Sequence, residues 1–333
     1  MKLLTRGSPL ALIQTGRIAE SLRALGCSVE IECVSTSGDR DTSSPLCSFG
    51  GSGAFSSCIE DALLQGVGDG AVHSLKDVPS CCRTGLEIAA VCERDSVEDM
   101  LLCLEEHNLE SLPHGAFVGT SSPRRRAQLL RLRPDLSVRE LRGNLATRLQ
   151  KLSEGSYDAI ILARAGLDRL GLVPPNASAL PFLPAPCQGI IALEAPLEGA
   201  LFPLGERITD RRTHLCSLAE RSLLRTLGVG CHVPFAALAA LSAETMLIQA
   251  ELLECDGRDA VRLRLEVTVR NAGDAAGAGR ILGEEFRNDP VARRLLKACS
   301  LPPPLPAKEA NRRGREAEKN SVSAPKLAGG SVS

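Results

Sequence analysis

The stretch LLTRGSPLALIQ (residues 3–14) passes from a short apolar run straight into a helical pattern, and AFVGTSSPRRRAQLL (residues 116–130) does the same. In both stretches a turn containing Thr and a Ser-Pro pair separates the two patterns. Ser is a favoured helix N-cap and Pro fits the first helical position, so Ser8-Pro9 and Ser122-Pro123 each predict a helix start. Because this strand–turn–helix unit occurs twice, we predict two similar lobes that face each other.

Short apolar runs alternate with helical patterns through about the first 200 residues, which is typical of α/β architecture with a largely parallel sheet. The predicted strands cover 3–4, 29–34, 70–72, 86–91, 116–119, 159–162 and 190–193, and the predicted helices cover 9–25, 55–64, 122–132, 144–152, 163–170 and 211–227. Alternating β-like runs in 233–269 and an amphipathic helix over 289–298 predict a third, small α+β unit. From residue 301 onward, Pro, Lys, Glu, Arg, Gly and Ser predict a disordered tail.

The composition excludes several classes of protein. The chain has 333 residues, of which 44% are hydrophobic and 24% charged, so it can bury real cores in two or three domains. Its 13 cysteines are odd in number and show no C-x-x-C or Cys-His metal spacing, which argues against a disulfide framework and a zinc site. We therefore predict no metal, and we expect most thiols to be small buried hydrophobes in a reducing compartment.

The near-zero net charge conceals a basic segment. Residues 124–151 contain nine basic side chains against two acidic ones, and Arg124 and Arg125 lie in the first turn of a predicted helix, where cations are unfavourable. Cations at such an unfavourable position often bind an anion. The arginines therefore favour an anion site at the edge of the sheet where strands lead into helices. A solvated basic face is the alternative. No aromatic side chain interleaves these arginines, so we predict no nucleic-acid partner.

Two other loops carry reactive side chains. The segment HSLKDVP (residues 73–79) follows a predicted strand and places Asp77 beside Lys76, where an ionised carboxylate could stabilise a developing cation. The segment GVGCHVP (residues 228–234) places Cys231 directly after Gly230 in a glycine-containing loop, where a thiol could act as a nucleophile or a covalent anchor. A surface turn and an inert packing cysteine are the plainer interpretations.

Taken together, these segments resemble the porphobilinogen deaminase (hydroxymethylbilane synthase) family. The similarity extends over about residues 3–300 in the family's order and spacing, and HSLKDVP with GTSS-x-RR is its most specific part. The matching segments are TRGSPLA (5–11), VHSLKDVP (72–79), VGTSS (118–122) with Arg124-Arg125, LRGN (141–144) with TRL (147–149), YDAIILA (157–163), Gln188-Gly189, and Gly230-Cys231 with Val233-Pro234.

The resemblance implies a fold of two lobes like those of periplasmic binding proteins, with a third small α+β domain. It implies domain bounds of 1–93 plus 190–207 for the first domain, 98–186 for the second and 211–300 for the third, before the tail at 301–333. It also implies a transferase that joins four porphobilinogen molecules head to tail, with release of ammonia, to give hydroxymethylbilane in tetrapyrrole biosynthesis.

The resemblance further implies the roles of individual residues. Asp77 is the expected catalytic residue, and Cys231 is expected to carry a dipyrromethane cofactor, assembled from the substrate, through a thioether. The other expected cofactor-binding residues are Lys76, Asp77, Thr120, Ser121, Ser122, Arg124, Arg125, Arg148 and Gly189. The expected substrate-binding residues are Arg6, Ser8, Arg142, Asn144, Arg148, Arg169 and Gln188.

The chain departs from the family pattern at a few positions. Ser52 and Ser57 stand where the family usually has lysines, and Cys187 replaces a usual Gly. A non-catalytic two-lobed protein that binds small carboxylates, or an impaired paralogue, is therefore kept as the alternative. We expect a monomer without a membrane partner, in the cytoplasm, or in a plastid if a transit peptide has been removed.

Overall fold

The computed structural model describes residues 1–34 and 57–299. Its first lobe is built on a five-stranded sheet of order β2-β1-β3-β10-β4, in which β10 runs antiparallel to both of its neighbours and β1 is parallel to β2 and β3. The elements of this lobe are β1 (Lys2–Thr5), α1 (Pro9–Ala24), β2 (Glu30–Cys33), α2 (Ser57–Leu64), β3 (Gly70–Ser74), β4 (Leu86–Val91), β10 (Ile191–Pro196) and α6 (Leu201–Ile208).

The second lobe repeats this arrangement. Its sheet has the order β7-β6-β8-β5-β9, with β6 parallel to β7 and β8, and with β5 antiparallel to β8 and β9. Its elements are β5 (Asp99–Cys103), β6 (Phe117–Gly119), α3 (Pro123–Leu132), β7 (Ser137–Arg139), α4 (Leu145–Ser153), β8 (Ala159–Ala163), α5 (Arg164–Arg169) and β9 (Ala177–Ala179). The prediction of two similar lobes is confirmed, and each sheet contains one antiparallel strand that the sequence pattern did not reveal.

The third domain is a three-stranded antiparallel sheet covered by helices. Its elements are α7 (Arg211–Leu227), β11 (Phe235–Ser242), β12 (Thr245–Leu253), β13 (Ala260–Thr268), α8 (Ala272–Asn288) and α9 (Pro290–Cys299). Its core joins strand and helix through Phe235 and Phe286, whose rings meet edge to face with centroids 5.8 Å apart. The α/β fold class with a third α+β domain is confirmed, whereas the exact domain bounds stay predictions.

Local capping signals gave the correct helix starts. The hydroxyl of Ser8 accepts a hydrogen bond from the Ala11 amide at the start of α1, and that of Ser122 accepts one from the Arg125 amide at the start of α3. Helix α8 was missed because its sequence contains four glycines, which are poor helix formers. One of them, Gly279, allows the close approach of α7, since a Cβ there would lie 2.9 Å from the Leu223 amide and overlap the Ala219 carbonyl.

Two crossover segments, residues 92–98 and 180–190, connect the first two lobes. They touch at Gly189, whose φ is +86° and where a Cβ would lie 2.5 Å from the Asp95 carbonyl oxygen. Only glycine fits this point without strain. The neighbouring Cys187 also has a positive φ, of 62°, although it occupies the usual glycine position of the family.

The expectation of mostly buried thiols is wrong. Of the twelve cysteines in the described ranges only Cys103, Cys187 and Cys216 are buried. Four are exposed because they lie in turns or at the end of an edge strand; these are Cys33, Cys81, Cys231 and Cys255. Ser52 and the tail at 301–333 lie outside the described residues. Among the helices that are described, none has the length and apolar character needed to cross a membrane.

Alanine substitutions at two glycines of α8 test the packing of α7 against α8. We expect Gly279→Ala to lower the free energy of unfolding by about 1–3 kcal/mol, because the added methyl group must push α7 away. The control is Gly277→Ala, where a Cβ would meet no atom within 4 Å. It should raise stability by about 0.5–1 kcal/mol through helix propensity. Urea unfolding measures both changes, and equal effects would contradict this packing.

Candidate functional site

The segment after β3 positions Lys76 and Asp77 at the carboxyl end of the first lobe's sheet. A single 3₁₀ turn, Leu75–Asp77, follows the strand, and its fully buried Leu75 donates its amide to the Ile190 carbonyl at 3.0 Å. This anchor turns the Asp77 side chain outward, where it is exposed, and leaves Lys76 half-buried. The two charged side chains are therefore presented at the sheet edge where ligands bind in α/β folds.

Lys76 is held among other cations. Its Nζ donates a hydrogen bond to Gln188 Oε1 at 3.2 Å. Burial and the positive charge of Arg125 lower the pKa of Lys76 to about 8, against the opposing effect of the Asp77 carboxylate. Because burial and a neighbouring cation both disfavour the charged form of Lys76, a bound anion would stabilise it.

Asp99 lies at the centre of the second lobe's charge network. Its carboxylate is fully buried at the start of β5 and accepts from Arg124 Nη1 at 2.7 Å and from Arg125 Nε and Nη2 at 2.9 and 2.7 Å. Burial by itself would raise the pKa of this carboxyl group, but the two guanidinium groups outweigh that effect and hold the pKa well below its ordinary value. One carboxylate thus fixes both of the arginines that the sequence singled out.

The remaining contacts of these arginines are to main-chain carbonyls. Arg124 donates to the Leu183 carbonyl at 2.9 Å and Arg125 to the Ile161 carbonyl at 3.0 Å, and both side chains are buried. The charges of both arginines act on Lys76, the charge of Arg125 more strongly, and Arg125 also acts on Arg148. Their proposed contacts with a cofactor stay predictions, and the contacts seen here show what holds the two guanidinium groups in place.

Gln188 connects the two lobes. It lies in the second crossover segment, is buried, and donates from Nε2 to the Val97 carbonyl at 2.7 Å and to Asp99 Oδ1 at 3.1 Å while it accepts from Lys76. The predicted substrate-binding residue therefore has its amide group occupied by protein partners. Gln188 therefore links Lys76 of the first lobe to Asp99 of the second lobe.

The loops that precede α3 and α4 are tied together. Ser121 Oγ donates to the Leu141 carbonyl at 2.7 Å and accepts from the Leu141 amide at 3.1 Å. Thr120 is buried and accepts from the Ser122 amide at 3.2 Å. Asn144 caps α4 by accepting from the Thr147 amide at 2.9 Å. The polar side chains of both loops thus serve to bring two helix N-termini to one edge of the sheet.

Arg148 and Arg142 add two more cations at this edge. Arg148 Nε donates to the Gly143 carbonyl at 2.8 Å. Burial, and then the charge of Arg125, lower the pKa of Arg148 to about 10, while Asp77 from the facing lobe opposes the shift. The Arg142 side chain is only 12% exposed and lies 3.6 Å from Glu140. Arg6 and Ser8 lie at the corresponding edge of the first lobe, after β1.

Arg169 lies at the crossover segments. Its Nε donates to Asp95 Oδ2 at 2.7 Å and its Nη2 to the Gly189 carbonyl at 2.8 Å, so it ties α5 of the second lobe to both segments. The same Asp95 also pairs with Arg17 of α1 at 3.0 Å. Arg169 and Gly189, predicted as ligand-binding residues, are therefore placed where the two lobes are joined.

A buried ion pair that the sequence did not reveal attaches the third domain. Arg94, in the first crossover segment, meets the fully buried Glu220 of α7 through two hydrogen bonds of 2.7 and 3.0 Å. Glu220 also accepts from the Ala239 amide at 2.7 Å and from the Cys187 amide. The sequence offers no signal for this pair except a charged residue inside an otherwise apolar face of α7.

Cys231 lies in the loop between α7 and β11 and faces the site. Its side chain is exposed, and its thiol lies close enough to Asp77 and Lys76 for both charges to act on it. Partial removal from water, and then the negative charge of Asp77, raise the pKa of the thiol, while Lys76 acts in the opposite direction. Folding therefore brings together the two loops that the sequence marked as reactive, which are 154 residues apart.

The comparisons with known proteins agree with this arrangement. Two family models match, the porphobilinogen deaminase dipyromethane cofactor binding domain over residues 1–199 and the porphobilinogen deaminase C-terminal domain over residues 214–288. The chain is 43% identical over 302 residues to porphobilinogen deaminase of Syntrophobacter fumaroxidans, an alignment that covers 88% of this chain and 96% of the relative. It is 43% identical over 306 residues to porphobilinogen deaminase of Acidithiobacillus ferrooxidans, which covers 86% and 98%.

A solved structure is also similar to part of the chain. A periplasmic substrate-binding protein of an ABC transporter from Coxiella burnetii matches with a TM-score of 0.41 and 16% sequence identity. The match covers 64% of this chain and 93% of that protein.

Removal of the Asp99 charge tests what organises the site. We expect Asp99→Asn to lower the free energy of unfolding at pH 7 by about 3–5 kcal/mol, because two guanidinium groups would be left buried without a counter-charge. Since the folded-state pKa of Asp99 is lowered, its contribution is complete above the unfolded value of about 4 and is lost as the pH falls toward the folded value. The difference between wild type and variant should therefore shrink only in acid.

The matched control is Asp256→Asn, which removes the carboxylate of an ion pair with Arg258 whose side chain is 85% exposed. Denaturant unfolding at several pH values compares the two variants. A stability loss for Asp99→Asn no larger than that for the control would contradict the role of Asp99.

Proposed function

The chain belongs to the porphobilinogen deaminase family, and we propose that it catalyses the head-to-tail condensation of four porphobilinogen molecules, with loss of ammonia, to hydroxymethylbilane. The observation that carries the proposal is the meeting of three kinds of group at one site. An exposed carboxylate, Asp77, lies close enough to the cations Lys76 and Arg148 and to the thiol of Cys231 for its charge to act on all three. This is the set of groups that a condensation of carboxylate-bearing pyrroles requires.

The cations of the site fit a dipyrromethane cofactor, which carries several carboxylates. Burial lowers the pKa values of Lys76 and Arg148, and the positive charge of Arg125 lowers both of them further. Asp99 neutralises one of the two guanidinium groups that it contacts. The excess positive charge that remains favours acetate and propionate groups, which guanidinium groups bind with good geometry.

The chain's own residues would hold this cofactor at defined points. Cys231, exposed in its loop, is the proposed attachment point through a thioether, and Lys76, Arg125 and Arg148 are proposed to pair with carboxylates. When bound, the dipyrromethane supplies the free pyrrole α-carbon to which the incoming porphobilinogen is joined. Arg142, Asn144, Arg6 and Ser8, at the edges of the two lobes, are proposed to bind the substrate's own carboxylates.

Asp77 is the proposed catalytic residue. As ammonia leaves porphobilinogen, positive charge develops on the pyrrole, and an ionised carboxylate in a fixed position stabilises it. The same carboxylate can accept a hydrogen bond from the pyrrole N–H and take up the proton released when the new carbon–carbon bond forms. The turn Leu75–Asp77, anchored through buried Leu75, holds Asp77 in place, so that little reorganisation is needed during the reaction.

Replacement of the catalytic carboxylate tests the function. We expect Asp77→Asn to lower kcat for hydroxymethylbilane formation from porphobilinogen by about 100- to 1000-fold, because the amide cannot stabilise a cation or accept the proton. The melting temperature should not change, because Asp77 is exposed.

The control is Asp61→Asn, an exposed carboxylate on α2 that pairs with Arg83 on the surface, and it should leave kcat unchanged. A kcat for Asp77→Asn within threefold of wild type would contradict the catalytic role. Wild-type protein that binds porphobilinogen without releasing ammonia would favour the non-catalytic alternative instead.

A further inference from the structure

The turn between β12 and β13 lies at the contact between the third domain and the second lobe. This turn, residues 254–259, is closed by a hydrogen bond of 2.8 Å from the Glu254 amide to the Asp259 carbonyl. Its Gly257 has a φ of +77° and packs directly on the backbone of α3, where a Cβ would lie 2.7 Å from the Arg131 amide. The turn therefore contacts the helix whose first turn carries Arg124 and Arg125.

The last helix, α9, packs back onto the same turn. Its side chains at 292, 295 and 299 share one face, and Ala292 and Leu295 on that face are buried in the core of the third domain. Arg294 pairs with Asp259 of the turn. These contacts bring Cys299, the final residue of α9, against the turn.

Two thiols meet at this point. Cys255 is exposed in the turn, and Cys299 is half-buried against the core. The side chains of Cys255 and Cys299 interact with each other. This interaction, and then the positive charge of Arg126, lower the pKa of the Cys255 thiol, and the same interaction raises the pKa of the Cys299 thiol. In such a pair, the thiol of lower pKa attacks an external disulfide, and the second thiol then attacks the mixed disulfide that forms.

We propose that Cys255 and Cys299 form a redox-active dithiol, a modification site that is oxidised to a disulfide by low-molecular-weight disulfides such as oxidised glutathione. The Cys255 thiolate attacks one sulfur of the disulfide, which forms a mixed disulfide and releases one thiolate. Cys299 then gives up its proton, and its sulfur attacks Cys255 Sγ and releases the second thiolate. The two cysteines together lose two electrons and two protons, and the external disulfide is reduced to two thiols.

The bond would join the end of α9 to the turn that touches α3. The two cysteines are 44 residues apart in sequence, so the crosslink closes a long loop and restricts the unfolded chain. Within residues 1–34 and 57–299 no group of three metal-ligating side chains occurs, which favours a dithiol over a metal site here. The proposal does not depend on Cys231 or Asp77.

Mass spectrometry of the purified holoenzyme treated with oxidised glutathione tests the proposal. We expect wild type to lose the mass of two hydrogen atoms, with a linked Cys255–Cys299 peptide after digestion. Cys299→Ser should instead stop at the mixed disulfide and retain one glutathione on Cys255. The oxidised wild type should melt about 5 °C higher than the reduced form, and reduction should reverse the shift.

The matched control is Cys81→Ser, which removes another exposed thiol from a loop and should oxidise like wild type. Cys255→Ser should show neither the linked peptide nor the rise in melting temperature. A stable glutathione adduct on Cys255 in the wild type would overturn the proposal, as would the absence of any reaction at Cys255.

Discussion

The buried carboxylate of Asp99 is the constraint on which the site depends. A fully buried charge is costly unless it is paired, and here Arg124 and Arg125 satisfy it together with the amide of Gln188. Because Gln188 also accepts from Lys76, one continuous set of hydrogen bonds extends from the second lobe through the crossover segment to the turn that carries Asp77, the proposed catalytic residue. The positions of these cations relative to Asp77 follow from how that single charge is neutralised.

The crossover segments use the same principle to join the three domains. Asp95 receives Arg169 from the second lobe and Arg17 from the first, and Arg94 is paired with Glu220 of the third domain. Charged pairs of this kind require precise geometry, whereas apolar contacts tolerate sliding. These pairs attach the first two lobes and the third domain, which carries Cys231, to the crossover segments.

Much of the fold could be predicted from local signals. The Ser8 and Ser122 caps and the apolar runs gave the correct helix starts and most strands, and two matching loops indicated the correct edge of each sheet. Partners distant in sequence could not be predicted, since Arg94 meets Glu220 across 126 residues and no local pattern encodes such a pair. Nor could composition show that most cysteines lie in turns and on partly covered faces, because burial of a thiol depends on tertiary packing.

The most direct test of the proposed function is the intact mass of the protein purified from a host that makes porphobilinogen. If Cys231 is the attachment point, wild-type protein carries an adduct of two pyrrole units, peptide mapping places it on Cys231, and Cys231→Ser lacks it. The control variant Cys33→Ser, which removes an exposed thiol from the edge strand β2, keeps the adduct. An unmodified wild-type mass, or an adduct that persists in Cys231→Ser, would contradict the account.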